Sequence, residues 1–195
     1  LHILHYPENI ADTDPAHPAR QRLACDELFA RQLALQIVAQ RRRRRAGQPV
    51  IGNGESVDKV LAAAPFTPTN AQLRSFGEIS GDMASDRRMM RLLHGDVGAG
   101  KTFVAALAAA RAYEAGLQTA IMAPTEILAR QLARNIETFL KPAGMTVGVL
   151  TGRDKGKKRS DILDCLERGE IDVVCGTHAL FQEGVTFSNL GLVVI

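Results

Sequence analysis

Nowhere in its 195 residues does the chain hold a run of 18 apolar residues, which is about what a membrane-spanning helix needs. Cysteine is scarce as well. Cys25, Cys165 and Cys175 stand far apart with no C-x-x-C pair. That spacing excludes a disulfide scaffold and a zinc site and fits a reducing cytosol, so a cytoplasmic location is expected. Cys175 follows Val173 and Val174 and reads as a small buried hydrophobe. No signal peptide is visible after Leu1. Charge of one sign is also in short supply. The net charge is +3, and residues 1–50, with eight arginines against five acids, carry all of it. With 46% hydrophobic and 23% charged residues, the chain has the composition of a globular protein large enough for one core and an appendage.

What is present is concentrated in one stretch. Gly95-Asp96-Val97-Gly98-Ala99-Gly100-Lys101-Thr102 fits G-x-x-x-x-G-K-[ST], the phosphate-binding P-loop. Arg91 to His94 before it reads as a short buried strand, and the Ala-rich run from Thr102 to Ala115 as a helix. In that order the glycines let backbone N–H groups curl around phosphate oxygens. The helix start adds unpaired N–H groups and a positive dipole end. Lys101 would reach the β- and γ-phosphates, and the Thr102 hydroxyl would ligate Mg²⁺.

Residues 1–17 read as an extended segment from a preceding domain. Residues 18–48 hold a long helix of about 40 Å at 1.5 Å per residue, opened by Pro18 and closed by Ala46-Gly47-Gln48-Pro49. A loose apolar stripe, Leu23, Leu28, Leu33, Leu35, Ile37 and Val38, runs along it. Its end, Arg41 to Arg45, has two readings: a solvated end that complements the helix dipole, or a set of phosphate contacts to nucleic acid. Residues 49–195 form the main domain. Short helices are expected over 55–64, over 70–76 with Thr69 as N-cap, and over 78–88. Strands at 119–123, 146–150, 171–175 and 192–195, the last one buried, alternate with helices over 126–140, with Leu128, Leu132, Ile136 and Phe139 on one face, and from about 160 to 168. A basic loop, 153–159, precedes the latter. This alternation predicts an α/β fold, a parallel sheet with helices on both faces. Right-handed crossovers place the loops after the strands on one edge, where ligands bind.

Four of those loops carry special residues. GDVGAGKT (95–102), APTEILARQ (123–131), LTG (150–152) and GTHAL (176–180) resemble, in order, motifs I, Ia, Ib and Ic of superfamily-2 helicase motors. PFTPTNAQLR (65–74), RLLHGDVGAGKT (91–102), MAPTEILARQ (122–131) and GTHALFQEGVTF (176–187) are most similar to RecG-type ATP-dependent helicases, over about residues 55–195. The resemblance extends more weakly to residues 17–35. It implies a RecA-like first motor domain that binds ATP and Mg²⁺ and, as part of a longer monomeric enzyme, acts on branched double-stranded DNA in recombination and repair. It implies adenine contact by Gln72, with Phe66 and Thr69 nearby. It further implies a grip on the sugar-phosphate backbone by Pro124, Thr125, Glu126, Thr151, Gly152, Gly176, Thr177 and His178, and the type of contact fits backbone amides and hydroxyls. A D-E-x-H box and a second lobe with an arginine finger would follow Ile195, so the 195 residues alone are expected to show no turnover. The rival readings are a related translocase such as the transcription-repair coupling factor, a non-motor P-loop protein, and a noncatalytic DNA-binding module.

Overall fold

The structure, a computed structural model, describes residues 5–43 and 46–195. Its contacts divide the chain after Ala46 into two compact units. In the first, Ile10–Thr13 forms a short 3-10 turn, among bends and turns rather than a plain extended segment. It is capped reciprocally, Asn9 accepting from the Asp12 backbone and Asp12 from that of Asn9. Helix α1, Pro18–Arg43, follows, as the absence of Gly and Pro predicts. Leu28, Phe29, Leu33, Leu35, Ile37 and Val38 are all exposed along it. The arginine run lies outside the described residues, Arg44 and Arg45 wholly and Arg41 to Arg43 in their side chains. Among the described residues no helix is long and apolar enough to cross a membrane.

The second unit is built on a parallel sheet of four strands: β1 Gln118–Met122, β2 Val147–Leu150, β3 Val173–Gly176 and β4 Leu190–Val194, in the order β2-β3-β1-β4. Period-two alternation in β1 and β3 assigns its two faces. Ile121, Val173 and Cys175 join one core, with Phe103 and Leu107 from α4 (Lys101–Glu114) and Ile136 and Leu140 from α5 (Glu126–Leu140). Ala120, Leu150 and Val174 join another with Leu166 of α6, Gly156–Glu167. Burial holds the Cys175 thiol well above its ordinary value, at about 12, in line with its place among apolar side chains. Helix α4 is buried on nearly every side, and its alanines suit that place because they let neighbouring backbones approach closely. Helices α2, Glu55–Ala62, and α3, Asn70–Met83, pack against it.

Four local expectations need correction. Residues 70–83 form one helix rather than two short ones. Gly77 costs that helix about 1 kcal/mol of propensity, but Phe76, Ile79 and Met83 around it pack into the core and hold the turn. The fully buried residues of α5 are Ala129, Ala133, Ile136 and Leu140. Of the expected stripe Ile136 is one of them, Leu132 and Phe139 pack partly buried against the same core, and Leu128, 45% exposed, falls outside it. Small alanines face inward where the helix lies close to α4 and the sheet. Strand β4 is buried only at Leu192, because one of its edges pairs with β1 while the other has no partner strand among the described residues. Finally, residues 91–94 form no strand, and Leu92 is 85% exposed. Arg91 is held by Glu78 and Asp82 of α3, each at 2.7 Å. A cavity of about 370 Å³, lined by Leu92 and Leu93 and by Leu192 to Ile195, lies along the open edge of β4.

Candidate nucleotide site and strand-end edge

The P-loop takes the form its glycines allow. Gly98 (φ +86°) and Gly100 (φ +80°) are left-handed, a conformation that costs other residues strain. Gly100 is the N-cap of α4 and supplies no side-chain cap. The Phe103 amide donates to the Gly100 carbonyl at 2.9 Å, and the helix start with its positive dipole end faces the loop. Lys101 is exposed, and its Nζ donates to the carbonyls of Gly95 at 2.7 Å and Asp96 at 2.8 Å. That places a positive charge at the loop itself. Thr102, half-buried in the first turn, lines the cavity with Lys101. Asp96, Val97, Gly98 and Ala99 are exposed. The donor set fits a chain of phosphates: amides at a helix start, one ammonium and one hydroxyl.

Gln72 touches this loop directly. Its Nε2 donates to the carbonyl of Ala99 at 3.0 Å, while its Oε1 accepts from the Thr69 backbone at 2.9 Å. Thr69 Oγ1 accepts from the Gln72 backbone at 3.3 Å, completing a capping box. The spacing T-x-x-Q carries that signature, although the sequence reading extends only to its first half, the Thr69 cap. Phe66 packs edge-on against Phe103 of α4, ring centroids 5.0 Å apart. The 65–74 segment is thus fixed to the P-loop and its helix.

The second group of predicted residues lies at the carboxyl ends of three adjacent strands. The register sets Met122 and Leu150 on either side of Gly176, and the Ala123 amide donates to the Gly176 carbonyl at 2.8 Å. Pro124, Thr125, Gly152 and His178 are exposed at this edge. Thr125 caps α5 by accepting from the Leu128 amide at 3.3 Å. Thr151, Gly176 and Thr177 are buried. The Thr151 hydroxyl donates to Asp154 at 2.8 Å, and Thr177 Oγ1 accepts from the Ala179 amide at 3.5 Å. Their side chains shape the loops from within, and the edge is brought together by Pro124, Thr125, Gly152 and His178.

The sequence reading missed the group that ties these loops together. Arg130 on α5 donates to Glu126 at 2.9 Å and to Thr151 Oγ1 at 3.4 Å, with Asp154 at 3.6 Å. Arg153 reaches the other Glu126 oxygen at 3.2 Å. Glu126 and Arg130, at i and i+4, form a legible pair. Nothing in sequence spacing joins them to Asp154. Burial pushes the Asp154 carboxyl up, but hydrogen bonds from Lys158 and from the hydroxyl and amide of Thr151 outweigh it and hold the group at about 2, below its ordinary 3.8. Its contribution to stability is therefore fully present above the ordinary value and is lost as pH falls through about 2. Asp154→Asn should lower unfolding free energy by about 2 kcal/mol at neutral pH. Urea titrations should show that gap closing as the pH is taken from about 4 to about 2. An equal gap at all pH values would contradict the assignment.

The model of the DEAD/DEAH box helicase family matches residues 69–195. The chain belongs to that family. Members named ATP-dependent DNA helicase RecG are 46% identical in Escherichia coli strain K12, over all of this chain and 29% of that protein. In Thermotoga maritima the identity is also 46%, over 98% of this chain and 24% of that protein. The chain thus spans less than a third of these relatives' length. A solved structure of RecG bound to a three-way DNA junction superposes with a TM-score of 0.83 at 47% identity, over 90% of this chain and 24% of that one. A hypothetical ATP-dependent RNA helicase from Sulfolobus tokodaii shares the fold, at 20% identity and a TM-score of 0.51. The helicase family model covers the RecA-like parallel sheet, residues 69–195, and the RecG structure matches 90% of the chain.

Proposed function

We propose that this chain is the ATP-binding lobe, with its preceding helix, of an ATP-dependent DNA helicase that remodels branched DNA. The observation that carries the reading is the pairing of two sites in one compact unit, Gly47–Ile195. A P-loop tied to Gln72 supplies the phosphate site, and the ends of β1, β2 and β3 form a separate grip. In this reading residues 1–17 come from a preceding domain, 18–48 form a basic linker helix, and 49–195 are the motor lobe. The division of the chain into two units after Ala46 supports that layout. Lys101 and the amides of residues 95–102 would hold the phosphates of ATP, the Thr102 hydroxyl would be a ligand to Mg²⁺, and Gln72, with Phe66 and Thr69, would border the base. Mg²⁺ supplies charge neutralisation across the β- and γ-phosphates when bound. Pro124, Thr125, Glu126, Thr151, Gly152, Gly176, Thr177 and His178 build the strand-end loops that grip the DNA backbone. Exposed Thr125, Gly152 and His178 face it, and buried Thr151 and Thr177 hold the loops in shape.

The test is resolution of a fluorescent three-way junction by the full-length protein. Strand displacement that requires both ATP and Mg²⁺ is expected. Tight junction binding with no ATP-dependent displacement would favour a noncatalytic binding module, and displacement of neither branched nor linear DNA would overturn the reading.

A further inference from the structure

Residues 153–159, Arg-Asp-Lys-Gly-Lys-Lys-Arg, place five cations and one acid directly after β2. The acid is spent internally. Asp154 is buried, accepts from the amide and hydroxyl of Thr151 at 2.9 and 2.8 Å, and pairs with Lys158 at 2.8 Å. Arg153 is paired with Glu126. Among the described residues Lys155, Lys157 and Arg159 have no carboxylate within ion-pair distance. Lys155 and Lys157 are exposed and Arg159 is half-buried. The strip is also anchored, since Asp154 fixes its first turn to Thr151 at the sheet edge.

Apart from Lys158, which pairs with Asp154, its charge order is not a stabilising one. In α6 the cations Lys157, Lys158 and Arg159 occupy the start, while Asp161, Asp164 and Glu167 follow toward the end. A helix dipole favours the reverse at both ends. A sequence that only needed a solvated, stable helix would place these charges the other way round. A broken local rule of this kind is expected where function demands it. The first residues of the strip meet the segment after β1, Arg153 at Glu126 and Asp154 at Arg130.

We infer that residues 153–159 form a phosphate-contact strip, in which Lys155, Lys157 and Arg159 bind the backbone of the nucleic acid gripped by the strand-end loops. This deepens the proposed DNA-acting function and rests on it. The strip reads no bases, because flexible cations on an open surface neutralise phosphates without a donor and acceptor pattern.

The test is binding of forked DNA by the full-length protein, followed by fluorescence anisotropy across a salt series. Each cation that no longer neutralises a phosphate takes about 0.9 off the slope of log K against log salt. The triple variant Lys155→Gln/Lys157→Gln/Arg159→Gln should be shallower by about 2–3. Lys155→Gln alone, at an exposed position, should be shallower by about 1 and keeps the test open if the triple variant does not fold. An unchanged slope in a folded variant, with the wild-type dependence intact, would overturn the strip alone. A wild-type protein whose binding ignores salt would overturn the DNA-acting function itself.

Discussion

Lys101→Ala in the full-length protein is expected to lower ATP turnover by on the order of 10³-fold or more while the protein stays folded. The ammonium is the one cation that the P-loop itself carries, and it bonds the carbonyls of Gly95 and Asp96. Transfer of a phosphoryl group spreads charge over oxygens that such a fixed cation stabilises, and removing one preorganised donor alone commonly costs ~10²–10³ in rate. The fold has little to lose. Lys101 is exposed at the first position of α4, and alanine is the better helix former. Stability should therefore change by no more than about 0.5 kcal/mol. Phosphate release measured beside a circular-dichroism melt separates the two effects. Wild-type turnover in a folded variant would remove Lys101 from the site.

Gly176→Ala should be the most damaging small substitution at the strand-end edge, lowering stability by about 3 kcal/mol. Strand β3 lies between β2 and β1, and Gly176 is paired with both Leu150 and Met122. A Cβ there would collide with the backbone carbonyl of Leu150 and come within 2.8 Å of Leu180 Cγ. Neither the ladder nor the buried Leu180 can yield without breaking bonds or packing. At this chain size the melting temperature should fall by roughly 6–12 °C. Gly152→Ala is the control, since a Cβ at Gly152 has nothing within 4 Å, and it should stay within about 0.5 kcal/mol of wild type. Equal melting temperatures for the two variants would contradict this account of why glycine stands at 176. Both glycines belong to the motifs that the sequence singles out, yet only one is required by packing.

The same contrast runs through the molecule. The P-loop and α5 were legible because their signals are local: glycine at positions needing positive φ and a threonine cap at Thr125. The parallel sheet was legible from alternation. The strand expected at 91–94 was not there to be read locally, because its fate rests on Arg91 finding Glu78 and Asp82 on another helix. Likewise Gly77 reads as a break until the packing of Phe76, Ile79 and Met83 is known. At the site, the residue types in the loops after β1, β2 and β3 were visible. The burial of Thr151 and Thr177, and the bridge from Arg130 to Asp154, depend on three strands coming together. Gln72 lay between these cases. Its T-x-x-Q spacing announces the capping box with Thr69, but its bond to the Ala99 carbonyl is a contact across 27 residues.

The most direct test of the account is steady-state phosphate release by the full-length protein with and without forked DNA, at saturating ATP and Mg²⁺. The proposed pairing of a nucleotide loop and a DNA grip in one compact unit predicts that forked DNA raises the rate at least about tenfold, and that Lys101→Ala removes both the basal and the stimulated rates. A rate that is the same with and without DNA would contradict it.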